Sequence, residues 1–456
     1  MKTCASVKNV CKLFSLIFSM ITFLYVVYIV VVEKTYLPGG PFMLPLLRSK
    51  ELKTLCSSNW TGETIVHLKN SRTYVIGAYL DLRSRSLIRV IGITYRYEQE
   101  PLFCDFCFHG TNETVPAEIE IHSDHFQFPY GTTDLLCNLK DSRIPQYIYL
   151  HAANYPSNIV FKVHNIEQMH NPPSRFEYDF LLCISALFGS YNNVLQFIQS
   201  MEMYRMLGVQ KVILYHTDSS SILKQLLTYY IKQNFLELIP WPITTYINVS
   251  SGWHYPEHPG DLHYYGQTAA LNDCIYRNMY RSKYIALNDI DELILPARHK
   301  NWNELVDYLQ HSNPDASVFI FENHVFPVTF VNQSKPDPEE WKSVPGVNII
   351  RHDHREPNDP SEVNPTKLIL NPRDVVRTSV HTPLDFSGQE YRVPRKIAQL
   401  CHYRQPKKKE ITDDMLIEDY ILSPFENALV ERVNSVVGQL ELLKLEQTEN
   451  LLPVAV

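Results

Sequence analysis

The chain lacks an excess of positive charge. Its 42 Lys and Arg against 49 Asp and Glu give a formal charge of −7 and a pI near 6.2, which leaves no electrostatic footprint for nucleic acid. The lone basic run, Lys407-Lys408-Lys409, reads as a solvated loop. Low-complexity tracts and internal repeats are also absent, which excludes a disordered scaffold and a solenoid. What remains is a 456-residue chain that is 45% hydrophobic and 12% aromatic. That is enough for a large packed core and, at ~100–200 residues per domain, for two domains.

Charge is missing altogether from residues 13–32. As a helix rising ~1.5 Å per residue, this run spans ~30 Å, the thickness of a bilayer's hydrocarbon core. Lys2, Lys8 and Lys12 precede it, so the positive-inside rule leaves residues 1–12 in the cytoplasm. A cleaved leader would have a shorter apolar region of ~7–15 residues and a small-residue cleavage site. The run ends instead in Val30-Val31-Val32-Glu33-Lys34. A transmembrane signal-anchor is therefore expected over 13–32, with the rest of the chain in the secretory lumen.

Four acceptor sequons begin at Asn59, Asn112, Asn248 and Asn332 and fit a lumenal body, while Asn364-Pro-Thr366 is excluded by its proline. Of nine cysteines, Cys4 and Cys11 fall on the cytoplasmic side or at the membrane edge. The odd number left leaves at least one free or paired between chains. Cys104-Asp-Phe-Cys107 has the spacing of a zinc or redox pair, but no second pair follows it. Structural disulfides in an oxidising lumen are expected, with no connectivity assigned.

Residues 33–55, with Pro38-Gly-Gly-Pro41, read as a stem. Over 56–172 the β-branched and aromatic runs beginning at Thr73, Leu87, Pro145 and Asn158 predict a small β-rich domain, a sandwich by its texture. Over 173–410 the texture changes. Tyr178 to Ser185 is a buried-strand run, and Val194, Phe197, Ile198 and Met201 have helical spacing, with Gly208 placed to end the helix. Strands are expected to alternate with helices up to about Phe321, which argues a parallel, doubly wound α/β sheet. The stretch after Pro327 reads as proline-rich loops covering a site, and 411–456 as an amphipathic helical tail.

The segment richest in chemistry is Tyr284-Ile-Ala-Leu-Asn-Asp289-Ile-Asp291-Glu292-Leu-Ile-Leu-Pro296. An apolar run reads as a short buried strand, and three carboxylates stand where it ends. In an open α/β sheet ligands bind at that end of a strand. Asp289 and Asp291 project to one side of an extended segment, because side chains alternate with period two. Three acids together repel one another and need a cation between them. Hard oxygen ligands suit Mg²⁺ or Mn²⁺, which can in turn hold a diphosphate. The plain alternative is a solvated acidic turn capping the next helix.

From about Asp179 to Arg404 the chain resembles glycosyltransferase family 92, a nematode-abundant group once described only as a domain of unknown function. The resemblance rests on Cys183-Ile-Ser-Ala-Leu-Phe-Gly189, on Met203-Tyr-Arg-Met-Leu-Gly208-Val209 with Val212-Ile-Leu-Tyr215, and on Tyr265-Gly-Gln267-Thr-Ala-Ala-Leu-Asn272-Asp-Cys274. It continues through Asp289-Ile-Asp291-Glu292-Leu-Ile-Leu-Pro296, Lys367-Leu-Ile-Leu-Asn-Pro-Arg373, Val380-His381 and His402-Tyr-Arg404. Leu293, often aromatic in the family, and a less basic segment around Pro372 depart from the pattern and bear on packing. The resemblance implies a GT-A-like fold with a mixed sheet, and a Golgi type II membrane enzyme. It also implies transfer of galactose in β-linkage from UDP-galactose to a glycan on a glycoprotein or glycolipid.

The residues accommodate that chemistry. Asp291, with Asp289, would hold Mn²⁺ or Mg²⁺ against the leaving diphosphate, with Lys367 and Arg404 assisting. His381 or His402 could add an imidazole to the metal, although a lone histidine is more often a satisfied loop residue. An inverting transfer needs a carboxylate base. Asp353, Glu356 and Asp374 stand as unresolved candidates, and Glu322 is a further one. Asp218, at the end of the second strand, could contact uridine or ribose, or merely cap the next helix. Two other classes compete. A phosphatase that opens with Asp-Xaa-Asp would carry Thr or Val where Glu292 stands. A catalytically inactive lumenal carbohydrate-binding or adhesion-like membrane protein would not need the intact acidic triplet.

Overall fold

The computed structural model describes residues 61–108, 111–153, 159–170, 174–407 and 410–449. The expected anchor at 13–32 and stem at 33–55 lie outside these. Among the described residues, no helix is long and apolar enough to cross a membrane. The chain is α/β, built on two nine-stranded sheets.

The first sheet holds β1 (Val66–His67), β2 (Thr73–Asp81), β3 (Leu87–Tyr95), β4 (Leu102–Phe108), β5 (Thr111–Pro116), β6 (Glu118–Ile121), β7 (Tyr130–Asn138), β8 (Tyr147–Ala152) and β9 (Val160–His164). Their order is β5-β4-β8-β9-β2-β3-β7-β6, with β1 on β2. A disulfide joins Cys104 on β4 to Cys137 on β7, strands far apart in that order. The sheet therefore curls on itself, and its halves close over one core that includes Leu80, Val90, Phe106, Ile148 and Leu150. The sandwich expected from sequence is thus one continuous sheet. Cys107 is also disulfide-bonded, so Cys104-Asp-Phe-Cys107 is neither a zinc pair nor a redox pair.

The second sheet begins with β10 (Tyr178–Leu187), α1 (Val194–Leu207), β11 (Lys211–His216), α2 (Ser221–Lys232) and β12 (Leu236–Pro240). Then come α3 (Gln267–Asn278), β13 (Ser282–Leu287), β14 (Glu292–Pro296), α4 (Trp302–Ser312) and β15 (Ala316–Pro327). After short β16 (His354–Arg355) follow β17 (Thr366–Leu370), β18 (Val375–Thr378), β19 (Pro383–Phe386), β20 (Gln389–Val393), β21 (Ala398–Arg404), β22 (Ile417–Glu418) and α5 (Glu426–Glu449). Helix ends are set as their residues dictate. Gly208 takes φ 98° after α1, the left-handed cap that glycine adopts without strain. The Ser220 side chain accepts from Leu223 N–H at the start of α2.

The sheet order is β12-β11-β10-β13-β17-β15-β21-β14, with β20 beside β15. From β12 to β13 the pairing is parallel, and β17 then runs antiparallel between β13 and β15. The stretch after Pro327, expected as loops, therefore supplies sheet strands as well. The chain steps from β10 to β11 and β12 on one side, then returns to place β13 on the other. That reversal, between β10 and β13, is the crevice where open α/β sheets bind ligands.

Helix α3 lies between the two sheets. Cys274 is disulfide-bonded to Cys183 on β10. Asp273 accepts hydrogen bonds from Tyr79 on β2 and, at 2.6 Å, from Tyr215 on β11. Gly77 makes this fit possible: a Cβ there would stand 2.7 Å from the Tyr79 hydroxyl and 2.9 Å from Asp273 Oδ1. Both faces of β2 and β3 are consequently buried. Val75, Leu80 and Val90 enter the first sheet's own core, while Tyr74, Ile76, Ile91 and Ile93 join a core shared with Leu181, Ile213 and Ile275.

Candidate active site

The carboxylate turn follows β13 at the β10–β13 reversal. Two packed helical side chains fix its backbone. Ser200 Oγ on α1 donates to Ile290 O at 2.6 Å, and Tyr204 donates to the carbonyls of Asp289 and Glu292. The Asp289 N–H donates to Glu292 Oε2 at 2.9 Å, closing the turn on itself.

Asp289 accepts from Lys367 Nζ at 2.8 Å and from Gln267 Nε2 at 3.0 Å, with Ser185 Oγ at 3.4 Å. Lys367, 1% exposed, also lies 3.3 Å from Glu292 Oε2. Burial alone would raise the Asp289 carboxyl, but the Lys367 ammonium keeps it below its ordinary value. Glu292 is pushed up by burial and by Asp289, against the pull of Lys367. Burial would lower Lys367 itself, and the two acids hold it up. The acids therefore do not wait for an added cation; the chain supplies one. Lys367, expected at the diphosphate, is a positioning residue locked beneath the turn.

The two histidines separate. His402 has Nε2 3.2 Å from Asp291 Oδ2 and Nδ1 3.4 Å from Glu292 Oε1. Burial disfavours its charge, but the two carboxylates outweigh that and raise its pKa. His381 donates from Nδ1 to the Thr366 carbonyl at 3.0 Å, which leaves Nε2 carrying the lone pair. Burial and the nearby Lys367 charge lower it to about 4, so the ring is neutral. A metal-binding imidazole has this form, with one nitrogen donating to a carbonyl and the other open. His381→Ala is expected to weaken divalent-dependent nucleotide binding about 10–100-fold at little cost in stability. His402→Ala should instead destabilise the fold by about 3 kcal/mol or more, because Glu292 loses a buried partner. Thermal melts beside nucleotide titrations, with and without Mn²⁺, check both; equal behaviour of the two variants would overturn the distinction.

About a third of the Asp289 and Asp291 side chains stays accessible. Among the described residues no three His, Cys, Asp or Glu side chains converge as a ready-made metal site. A cation would need ligand oxygens to complete its shell, and the residues suit that. Asp289 and Asp291 are accessible, the neutral His381 imidazole lies near enough to Asp289 to feel its charge, and the buried Tyr191 hydroxyl, within reach of the Asp291 charge, has no hydrogen-bond partner among the described residues. Tyr264 and Tyr265 take left-handed φ values of 34° and 58°, a strain of ~1–3 kcal/mol per residue that bulky side chains keep only where packing imposes it. Tyr265 stacks on Phe188 at 3.8 Å, past the end of β10. Burial and the charges of Asp289 and Asp291 raise the Tyr264 phenol, while Arg404 opposes them.

The other residues expected in a site fall in different places. Arg404 ends β21, two residues after His402, and its charge acts on both His402 and Tyr264. Asp218 sits exposed after β11, paired with Lys224 at 2.9 Å, and the cap of α2 is Ser220 instead. Asp353 is spent on the loop it belongs to, accepting from Asn332 and His354 at 2.8 Å each and pairing with Lys335 at 3.4 Å. Asp374 follows β17, whose end, Leu370, pairs with Ile285 near the start of β13, away from Asp289. There it accepts from Ser317 and Asn371 and holds a turn. Of the three candidate bases, Glu356 alone lines an open cavity, and its Oε1 accepts from the Lys407 N–H at 2.9 Å. Ser185, Ser200, Tyr204 and Gln267 went unassigned from sequence. Gln267 could have been suspected as the polar residue that opens its helix just after Gly266.

The profile of glycosyltransferase family 92 matches residues 178–440. The chain belongs to glycosyltransferase family 92. Among curated relatives of this family-92 chain, the β-1,4-galactosyltransferase galt-1 of Caenorhabditis elegans is 22% identical over 276 residues, covering 59% of this chain and 57% of that protein. A glycosyltransferase family 92 protein of the same nematode is 23% identical over 205 residues, covering 44% of this chain and 38% of that protein. The match thus spans about half the length of these relatives or less. The family profile's match includes β10 through most of α5 and leaves the curled first sheet outside.

Proposed function

We propose that this chain transfers a hexose, galactose from UDP-galactose, to a glycan hydroxyl on a glycoprotein or glycolipid. We further propose a GT-A-type fold, inversion to a β-linkage, and a Golgi type II membrane protein held by residues 13–32. The observation that carries the reading is the pair of accessible carboxylates, Asp289 and Asp291, at the strand reversal between β10 and β13, where α/β sheets take nucleotides. Family membership and the galactosyltransferase relative support the sugar. The uncharged run 13–32 and its upstream lysines support the membrane topology.

In the transfer, an acceptor oxygen forms a bond to the anomeric carbon as the bond to the diphosphate oxygen breaks, and the electron pair leaves with the diphosphate. The acceptor proton passes to a carboxylate; of the candidates Asp353, Glu356 and Asp374, only Glu356 lines an open cavity. Asp291 and Asp289, with His381, would hold Mn²⁺ or Mg²⁺, which when bound supplies positive charge to the leaving group. Lys367 and Gln267 keep Asp289 in place, and Arg404 adds a fixed positive charge at the rim.

The test incubates the full chain in detergent with UDP-galactose, Mn²⁺ and a mixed glycan pool, reading UDP release and glycan mass. A hexose gain that a chelator abolishes is expected. If no donor in a broad panel gives UDP release or mass gain, and UDP with Mn²⁺ does not bind, the reading falls and a non-catalytic carbohydrate-binding role takes its place.

A further inference from the structure

Two left-handed segments pack against each other where the first sheet meets the approach to α3. Between β12 and α3 the chain turns at His263-Tyr264-Tyr265-Gly266, where Tyr264, Tyr265 and Gly266 take φ values of 34°, 58° and 70° in succession. In the connection from β6 to β7 of the first sheet, Phe126 and Gln127 take φ values of 50° and 66°. Residues other than glycine keep such values only where packing imposes them, and here each segment packs on the other. The Phe126 ring stacks on His263 with centroids 3.9 Å apart and planes 16° from parallel. Phe128, fully buried, meets the same imidazole edge-on at 5.9 Å. The Tyr130 N–H donates to the Asp261 carbonyl at 2.9 Å, which ties the two backbones together just before the turn.

The turn leads straight to the carboxylates. One residue past Gly266, Gln267 Nε2 donates to Asp289 Oδ1 at 3.0 Å and to Ser185 Oγ at 2.7 Å. Within the turn, Tyr264 lies near enough to Asp289 and Asp291 for their charges to act on its phenol. Trp241 Nε1 donates to the Tyr265 carbonyl at 2.8 Å, and a Cβ on Gly266 would stand 3.6 Å from Ile93 of β3. His263 is buried, and its Nδ1 has no hydrogen-bond partner among the described residues. Its orientation therefore depends on the rings packed against it.

We propose that the β6–β7 connection is a working part of the active site and that Phe126 is a positioning residue for the transfer. It acts through His263 on the turn that sets Gln267 and Tyr264 beside the carboxylates. A left-handed run relaxes toward negative φ once its packing is removed. Without the Phe126 ring the turn loosens, Gln267 loses its register on Asp289, and that carboxylate is left to Lys367 and Ser185. Phe126 lies outside residues 178–440, by which the family is recognised. Its part in transfer rests on the glycosyl-transfer reading, whereas its hold on Asp289 rests on the geometry alone.

The experiment uses the full chain in detergent and compares the parent with Phe126→Ala, Phe126→Leu and Phe126→Tyr. Hydrogen–deuterium exchange and calorimetric titration of UDP with Mn²⁺ are the two readouts. Phe126→Ala is expected to speed exchange across residues 262–267 and 288–292 as well as in its own connection, while α2 exchanges as in the parent. UDP binding with Mn²⁺ should weaken about tenfold, the lower end of the ~10–100-fold loss for a residue that supports a metal ligand. Phe126→Leu, which keeps apolar bulk without a flat ring, should move the same peptides by less and guards against a misfolded alanine variant. Phe126→Tyr keeps a ring face on His263 and should restore parental values. Faster exchange confined to residues 122–130 overturns the proposal. So does unchanged UDP binding in Phe126→Ala when the parent binds UDP. Faster exchange at 288–292 in Phe126→Ala, from a parent that binds no UDP, would sustain the hold on Asp289 and defeat the transfer reading.

Discussion

Replacing Lys367 with methionine is expected to cost the fold about 3–5 kcal/mol, the usual penalty for stripping one partner from a buried ion pair. Lys367 is 1% exposed and is the ammonium beside both Asp289 and Glu292. Without it Glu292 must take up a proton or keep an uncompensated charge inside the protein, and the Asp289 turn loses its anchor. Urea denaturation of the full chain measures the loss. Adding Glu292→Gln should recover part of it, because the double variant removes both charges, and the cycle isolates their coupling. Arginine at this position should not substitute, since a planar fork cannot replace a compact ammonium in a closed space. A Lys367→Met protein as stable as the parent would show that the buried pair does not hold the site.

Asp291→Asn should do the reverse, with a fold near parental stability and sugar transfer lowered by about 10²–10³-fold, the scale of losing one preorganised electrostatic group. About a third of the Asp291 side chain is accessible. Its backbone carbonyl, which accepts from Tyr403 N–H at 2.9 Å, is untouched by the change. Calorimetric titration of UDP with and without Mn²⁺ should show the metal-dependent increment lost in the variant. Parental activity with ordinary metal dependence would remove Asp291 from the site. Asp289→Asn is expected to combine both outcomes, because Asp289 serves the accessible edge and the Lys367 pair together.

The sequence was most legible where strands are continuous apolar runs. β2 and β3 match the predicted runs residue for residue, because both faces of each are buried and no polar alternation blurs the signal. The turn after β13 was legible because three acids in four residues are hard to place anywhere but at an accessible strand end. β17, β20 and β21 were not legible. They are five to seven residues long, set among turns and prolines, and stabilised by pairing with β13, β14 and β15, contacts that local periodicity cannot see. The same non-local pairing brings Lys367 and His402 to the acids, so their partners could not be read from spacing. Asp353, Asp374 and Glu356 look alike in sequence. Only their partners in the fold separate them: Asp353 accepts from Asn332 and His354, Asp374 from Ser317 and Asn371, and Glu356 lines a cavity.

The place of α3 has a consequence for what counts as the smallest working piece of this protein. A fragment starting at residue 178 would contain the whole family-92 segment yet leave the Tyr79 side of α3 in water. Asp273 would lose one of its two tyrosine donors, and Gln267, at the head of that helix, would hold Asp289 from a support open along one flank. The first sheet lies outside the segment by which the family is recognised, but it acts as an outer wall of the family-92 half. Gly77, buried in its second strand and far from any reacting atom, is a position where a single added methyl group would be felt at the carboxylates.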